Sequence, residues 1–138
     1  MHILVVGGGM GGTILANNLA RRLSGELEQG SSKITMLSAS DKHMYQPGLL
    51  YVAVGKMSTS ELYRDQKSLL EPSIDFHVDP VEKFDLDNNS VTTKSGKKIS
   101  YDILCIATGS RGNAEGIPGL AENSCQFYTE ADAVAMYK

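Results

Sequence analysis

The sequence predicts an α/β fold, a central parallel sheet with a three-stranded antiparallel β-meander, and three observations predict it. Ile3-Leu4-Val5-Val6 is a short apolar run that drives into a glycine cluster; a run apolar on both faces suits a buried parallel strand. A helical pattern and a second apolar run, Lys33 to Ser38, come next and complete a strand–helix–strand unit. From Val81 onward the period shortens to two, with turn residues between short runs, which is the mark of a meander.

Each element has its own local reason. After Gly12, Leu15, Leu19, Leu23 and Leu27 recur every four residues with Ala16 and Ala20 beside them, which predicts an amphipathic helix. Asn17, Asn18, Arg21 and Arg22 fall on its opposite face, and Ser24-Gly25 marks an early end. Pro47-Gly48 is a turn signal, and Leu49 to Val54 is apolar enough to pack on the sheet. Glu61 to Leu70 is predicted as a helix with Leu62, Leu69 and Leu70 as its apolar positions and Pro72 beyond its end. Ile74 to Val78 is a third strand. Val81 to Leu86, Ser90 to Thr93 and Lys97 to Tyr101 form the meander, turning at Asp87-Asn88-Asn89 and at Ser95-Gly96. Asp102 to Ala107 is a further central strand ending in Thr108-Gly109-Ser110. Residues 112–124 are expected to be irregular, and Thr129-Glu130-Ala131-Asp132 starts a helix with a threonine cap and acidic first turn.

Composition narrows the function classes. The 138 residues make one domain by size and suffice for a real core. A net charge of −3 gives no basic face for nucleic acid. There is no apolar stretch of about 20 residues to span a membrane. Met1-His2 leads directly into a strand with no basic region or cleavage site, so a cytoplasmic protein is expected. Cys105 and Cys125 have no metal-ligand or C-x-x-C spacing, so no metal site is expected and both are free thiols.

Gly7, Gly9 and Gly12 fit G-x-G-x-x-G, the pattern that sets a dinucleotide pyrophosphate on a helix N-terminus. The first glycine allows the turn out of the strand, the second lets backbone approach phosphate, and the third permits close helix–strand packing. Phosphate oxygens then meet unpaired N–H groups at the positive end of the helix dipole.

The glycine motif, the meander, and then Tyr101-Asp102-Ile103-Leu104-Cys105-Ile106-Ala107-Thr108-Gly109-Ser110 together resemble the Rossmann-like FAD-binding domain of the pyridine nucleotide-disulfide oxidoreductase superfamily. The segment from His43 to Gly55 narrows the likeness to sulfide:quinone oxidoreductases, with type II NADH:quinone dehydrogenases as near neighbours. The resemblance covers essentially the whole chain. It implies FAD as cofactor, a small-molecule donor (sulfide or NADH) and a quinone acceptor. By position it places Gly7, Gly9, Met10, Gly11 and Gly12 along the FAD pyrophosphate and Ser38 with Ala39 at the adenosine ribose. It sets Val81 where backbone meets the adenine, Ala107, Thr108 and Gly109 beside the cofactor, and Gln46 and Pro47 towards the flavin end. It also implies that a second nucleotide-binding domain, a closing Gly-Asp segment and a C-terminal membrane-associating region would follow. Residues 1–138 are accordingly expected to be an incomplete N-terminal piece of a flavoprotein that sits peripherally on the inner face of the cell membrane; a homo-oligomer is left open.

Two departures from the family pattern stand out. The family often carries an acidic residue where this chain has Ser38, which offers only neutral hydrogen bonds to a ribose. Lys42 nearby keeps an NADP reading open, and Asp41 is expected to turn the chain. The family's cysteine falls on Tyr128, so Cys125, with no Lys or Arg near it, is a weak catalytic candidate beside the plainer reading of a loop thiol. Cys105 is expected to be a buried hydrophobe. His43 and His77 titrate near neutral pH as free side chains and so suggest proton transfer, but are expected to be packed or surface residues. Met44, Tyr45, Tyr51 and Tyr63 could contact a quinone or the flavin, but are expected to be packing residues. A stand-alone NAD(H)- or ATP-binding regulatory module is the alternative function, since such modules can be of this size.

Overall fold

The computed structural model describes residues 1–113 and 116–137; residues 114 and 115, inside the stretch expected to be irregular, and residue 138 lie outside the described residues. In chain order the elements are β1 (His2–Val6), α1 (Met10–Arg22), α2 (Ser24–Glu28), β2 (Lys33–Ser38), β3 (Lys42–Met44), α3 (Leu49–Ala53), β4 (Tyr63–Asp65) and β5 (Ile74–Val78). Then come β6 (Val81–Asp85), β7 (Ser90–Thr93), β8 (Lys98–Ser100), β9 (Ile103–Ile106), α4 (Leu120–Asn123) and α5 (Glu130–Tyr137). They group into two compact units, one of Met1–His43 with Asp65–Gly109 and one of Met44–Arg64 with Ser110–Lys138.

The first unit is built on a sheet of order β5-β2-β1-β9, parallel at each of its three pairings. Strand alternation divides the core into two layers. Ile3, Val5, Ile34, Met36 and Ile74 face Ala16 and Ala20 of α1, while Leu4, Val6 and Leu37 face Val91 and Tyr101. The second layer is completed by Val81, Phe84 and Ile99, so the antiparallel ribbon β6-β7-β8 covers the face opposite α1. β1 and β2, buried on both faces, and the meander match the expectation from sequence, whereas β9, expected to be central, is an edge strand with Ile103 and Ile106 exposed.

Within β7 the Ser90 hydroxyl is buried and has no hydrogen-bond partner among the described residues. Its desolvation is uncompensated, so Ser90→Ala is expected to stabilise the protein by about 1 kcal/mol. Chemical denaturation of the two proteins measures this, and a less stable variant would show that the hydroxyl is satisfied.

The helix after the glycine cluster keeps most of its predicted face: Ala16 and Ala20 are buried and Leu19, Leu23 and Leu27 pack partly against the same layer, while Leu15 departs from it. Gly12, Thr13, Ala16 and Ala20 are its buried residues, Leu19 packs partly, and Leu15 is exposed. Small side chains at 12, 16 and 20 let α1 lie close to the strands, with the leucines packed beside them. Asn17 is not a solvent-face residue either: its side-chain amide donates to the Leu69 carbonyl and accepts the Glu71 N–H. The helix breaks at Leu23 and resumes as α2.

The predicted helix over 61–70 is absent. Residues Thr59–Leu62 form a 3-10 turn under a Ser58–Glu61 capping box, β4 follows, and Lys67–Leu69 is a second 3-10 turn. Extended pairing wins over helical propensity here: β4 pairs with β3, the Tyr45 N–H reaches the Leu62 carbonyl, and the Gln66 N–H reaches the Asp41 carbonyl. Asp65 then turns the chain by accepting the Ser68 N–H and, through its carbonyl, the Ser68 hydroxyl.

The second unit has its own core of Leu49, Val52, Leu62 and Ala133, with Met57, Tyr63 and Val134 packed on it. The run from Leu49 is a short helix, α3. The start of α5 follows the expected cap: the Asp132 N–H donates to the Thr129 hydroxyl, and the Asp132 carboxylate accepts the N–H groups of Tyr128 and Thr129. Those bonds hold the Asp132 carboxyl below the usual carboxylate range. Among the described residues no helix is long and apolar enough to cross a membrane.

Candidate functional site

The chain order of the parallel strands fixes where a ligand can enter. From β1 the chain moves outward through β2 to β5 and then returns to place β9 on the other side of β1. Strand order therefore reverses between β1 and β9, and in open α/β sheets the crevice at such a point, beyond the strands' carboxyl ends, is the usual ligand site. The two segments that leave there are residues 7–12 and residues 107–109.

These segments touch. Gly7 has φ +117°, its N–H donates to the Leu37 carbonyl at 2.8 Å, and a Cβ on it would lie 2.2 Å from the Ala107 carbonyl oxygen. Ala107 continues the sheet by donating to the Val6 carbonyl at 2.8 Å. A Cβ on Gly12 would lie 1.9 Å from the Gly7 carbonyl oxygen. Packing inside the protein thus requires glycine at 7 and 12. It does not at 9 or 11, where an added Cβ meets no atom within 4 Å.

The helix that opens behind this loop is left bare. Gly9 is its N-cap, no side chain caps it, and its first turn carries no acidic residue. The first intrahelical bond runs from the Thr13 N–H to the Gly9 carbonyl, so the N–H groups of Met10, Gly11 and Gly12 have no intrahelical acceptor. The arrangement offers outward-facing donors at a positive dipole end to an anion. Met10, the first helical residue, is half exposed beside them.

Other residues named from sequence take the following places. Ser38 ends β2 and is buried; its hydroxyl oxygen accepts the Ser40 N–H at 3.3 Å and would lie 2.5 Å from a Cβ on Gly8. Ala39 is exposed next to it. Asp41 and Lys42 are both exposed, 3.9 Å apart. Val81 is half-buried and packs with the layer containing Val6 and Leu37. Thr108 and Gly109 are exposed beyond β9. The structure thus brings Gly7, Gly12 and Ala107 into contact and sets Ser38 against Gly8. Gln46 and Pro47 form a 3-10 turn in the second unit, where a Gln46 hydrogen bond to the Tyr128 hydroxyl, after the one from Ser110, lowers that phenol's pKa. Cys125 is exposed in the same unit. Cys105 is half-buried against the α1 layer, and burial pushes its thiol up, as a small hydrophobe's would be. Among the described residues no group of three His, Cys, Asp or Glu side chains could hold a metal ion.

Sequence reasoning missed what stands behind the loop. Gln66 is fully buried; its amide donates to the Thr13 hydroxyl at 2.8 Å and lies 3.8 Å from the Met36 sulfur. His43 Nδ1 lies 3.1 Å from both the Gln66 amide oxygen and the Gly8 carbonyl oxygen, and the Thr13 hydroxyl donates to that same carbonyl at 3.3 Å. No periodicity marks these residues, and Arg64-Asp65-Gln66 has the composition of a solvent-facing stretch.

A family model described as pyridine nucleotide-disulphide oxidoreductase matches residues 1–137. The chain is 37% identical over 138 residues to the sulfide-quinone reductase of Aquifex aeolicus, covering 99% of this chain and 30% of that protein. It is 34% identical over 121 residues to the mitochondrial sulfide:quinone oxidoreductase of Mus musculus, covering 88% of this chain and 26% of that one. The crystal structure of the sulfide:quinone oxidoreductase from Aquifex aeolicus superposes with a TM-score of 0.79 and 32% identity over 99% of this chain and 30% of its own. The chain therefore spans less than a third of the length of these relatives.

Proposed function

We propose, starting from the fact that this chain belongs to the pyridine nucleotide-disulphide oxidoreductase family, that residues 7–12 hold the pyrophosphate of FAD. One observation carries the reading. Packing accounts for glycine at 7 and 12, but among the described residues no packing contact accounts for it at 9, the N-cap, or at 11, in the first turn of a helix that no side chain caps. Space and donors are both present for a phosphate there, so the residues fit the group. The adenosine end of FAD then extends past the end of β2, with Ser38 and Ala39 nearest the ribose and Val81 nearest the adenine. Ala107, Thr108 and Gly109 line the other side.

FAD, when bound, supplies two-electron redox chemistry at its ring system; this chain's residues bind the cofactor, orient it and neutralise its phosphates. The likeness to sulfide:quinone oxidoreductases supports sulfide as electron donor and quinone as acceptor in the whole protein, with NADH as the alternative donor. A quinone acceptor supports a peripheral position on a membrane for that protein. Residues 1–138 form its N-terminal FAD-binding domain, and redox turnover needs parts beyond it.

Calorimetric titration of the chain with FAD, NADH, NADPH and ATP tests this reading. FAD is expected to bind most tightly, and the loaded chain is expected to show no turnover with sulfide and a short-chain quinone. Tight NADH or ATP binding without FAD binding would favour a regulatory nucleotide module and overturn the proposal, and robust turnover by these residues alone would overturn the division of labour.

A further inference from the structure

The hydrogen-bond directions behind the glycine loop follow from the group that can only accept. The Gly8 carbonyl can only accept, so the Thr13 hydroxyl donates to it at 3.3 Å. Thr13 then accepts, and the Gln66 group 2.8 Å from it is the NH2. The other Gln66 atom is therefore the amide oxygen, 3.1 Å from His43 Nδ1. That nitrogen faces two acceptors, the Gln66 oxygen and the Gly8 carbonyl at 3.1 Å, so it carries the proton.

A trans peptide sets its carbonyl antiparallel to the next N–H, and the described chain has no cis peptide bonds. Holding the Gly8 carbonyl inward thus turns the Gly9 N–H away from the buried network. Gly9 is exposed there, and among the described residues none beyond its chain neighbours crowds it. We infer that His43, seated on the buried Gln66, is a positioning residue for dinucleotide binding: acting through the Gly8 carbonyl, it aims the Gly9 N–H at a phosphate. This rests on the reading of residues 7–12 as the FAD pyrophosphate site. Thr13 supplies the second hold on the same carbonyl, so the loop direction is set by α1 and by the chain after β2 together.

The test compares His43→Asn with His43→Gln in the whole chain. An asparagine amide can place an N–H near the position of Nδ1, whereas glutamine places its amide nearer Nε2. His43→Gln is expected to weaken ADP and FAD binding about tenfold or more, and His43→Asn to stay within about threefold of the wild type. Equal affinities for all three proteins, or equal losses in both variants, would overturn the inference. A second readout needs no variant: nitrogen-15 NMR of the ligand-free wild type is expected to show the Nδ1–H tautomer at His43, and the Nε2–H tautomer would overturn it. Wild-type protein that binds neither ADP nor FAD would overturn the FAD reading and this inference with it. Wild-type binding with unchanged variants would overturn this inference alone.

Discussion

Gly12→Ala is expected to lower the unfolding midpoint by about 10 °C or more and to abolish FAD binding. The added methyl would sit 1.9 Å from the Gly7 carbonyl oxygen and 3.1 Å from its carbon. Both are backbone atoms with no rotamer to yield. Gly7 cannot retreat, because its N–H is bonded to Leu37 and its open side already faces the Ala107 carbonyl. Nor can α1 step outward without exposing Ala16 and Ala20, which the β1 and β2 side chains cover. Overpacking against such a frame costs about 3 kcal/mol or more, a large part of the stability of a small domain. Thermal melts by circular dichroism, with and without FAD, measure it. Gly25→Ala, where an added Cβ meets nothing within 4 Å, is the control and is expected to melt no lower than wild type. A wild-type melt for Gly12→Ala would show that the loop is loose rather than wedged.

That wedge was legible in the sequence because glycine spacing and strand periodicity are local signals. Ile3 to Val6, Lys33 to Ser38 and Asp102 to Ala107 announce strands by runs of apolar residues, and the meander announces itself by its period of two. The segment from Leu62 to Leu70 gave no such signal. Its leucines fit a helix by spacing, but Leu62 belongs to the second unit's core and Leu70 to the first unit's, so the two never shared one helix face. Gln66 was unreadable for a related reason. A buried glutamine is stable only when its amide is satisfied, and its partners come from α1 and β3, distant in sequence. His43 was readable as packed, exposed or a proton carrier, but not as a backbone-holding residue, since its hydrogen-bond partners are invisible until the chain is folded. The α1 face was legible from its Leu and Ala spacing except at Leu15, which is exposed, because close approach to the sheet is made by the smaller residues Gly12, Ala16 and Ala20.

Gly9→Ala is expected to separate folding from binding, leaving the melt unchanged or slightly higher while FAD affinity falls about tenfold or more. Backbone angles at Gly9 are φ −73° and ψ −175°, which alanine adopts without strain. No atom within 4 Å opposes the methyl. Removing a glycine from the unfolded chain is worth about 0.5 kcal/mol in favour of the native state where the geometry is compatible. Binding is expected to move the other way, because on the proposed reading the methyl occupies the space through which a phosphate reaches the N–H groups of Met10, Gly11 and Gly12. Losing even one charge-assisted hydrogen bond of this kind costs about 1.5 kcal/mol, roughly a factor of ten in affinity. Gly12→Ala and Gly9→Ala therefore form a pair: packing demands one glycine, and on the proposed reading the ligand demands the other. Calorimetric titration beside thermal melts reads both quantities on the same samples. Full FAD affinity in a well-folded Gly9→Ala protein would mean that the phosphate lies elsewhere, and a collapsed melt would mean that Gly9 serves the fold.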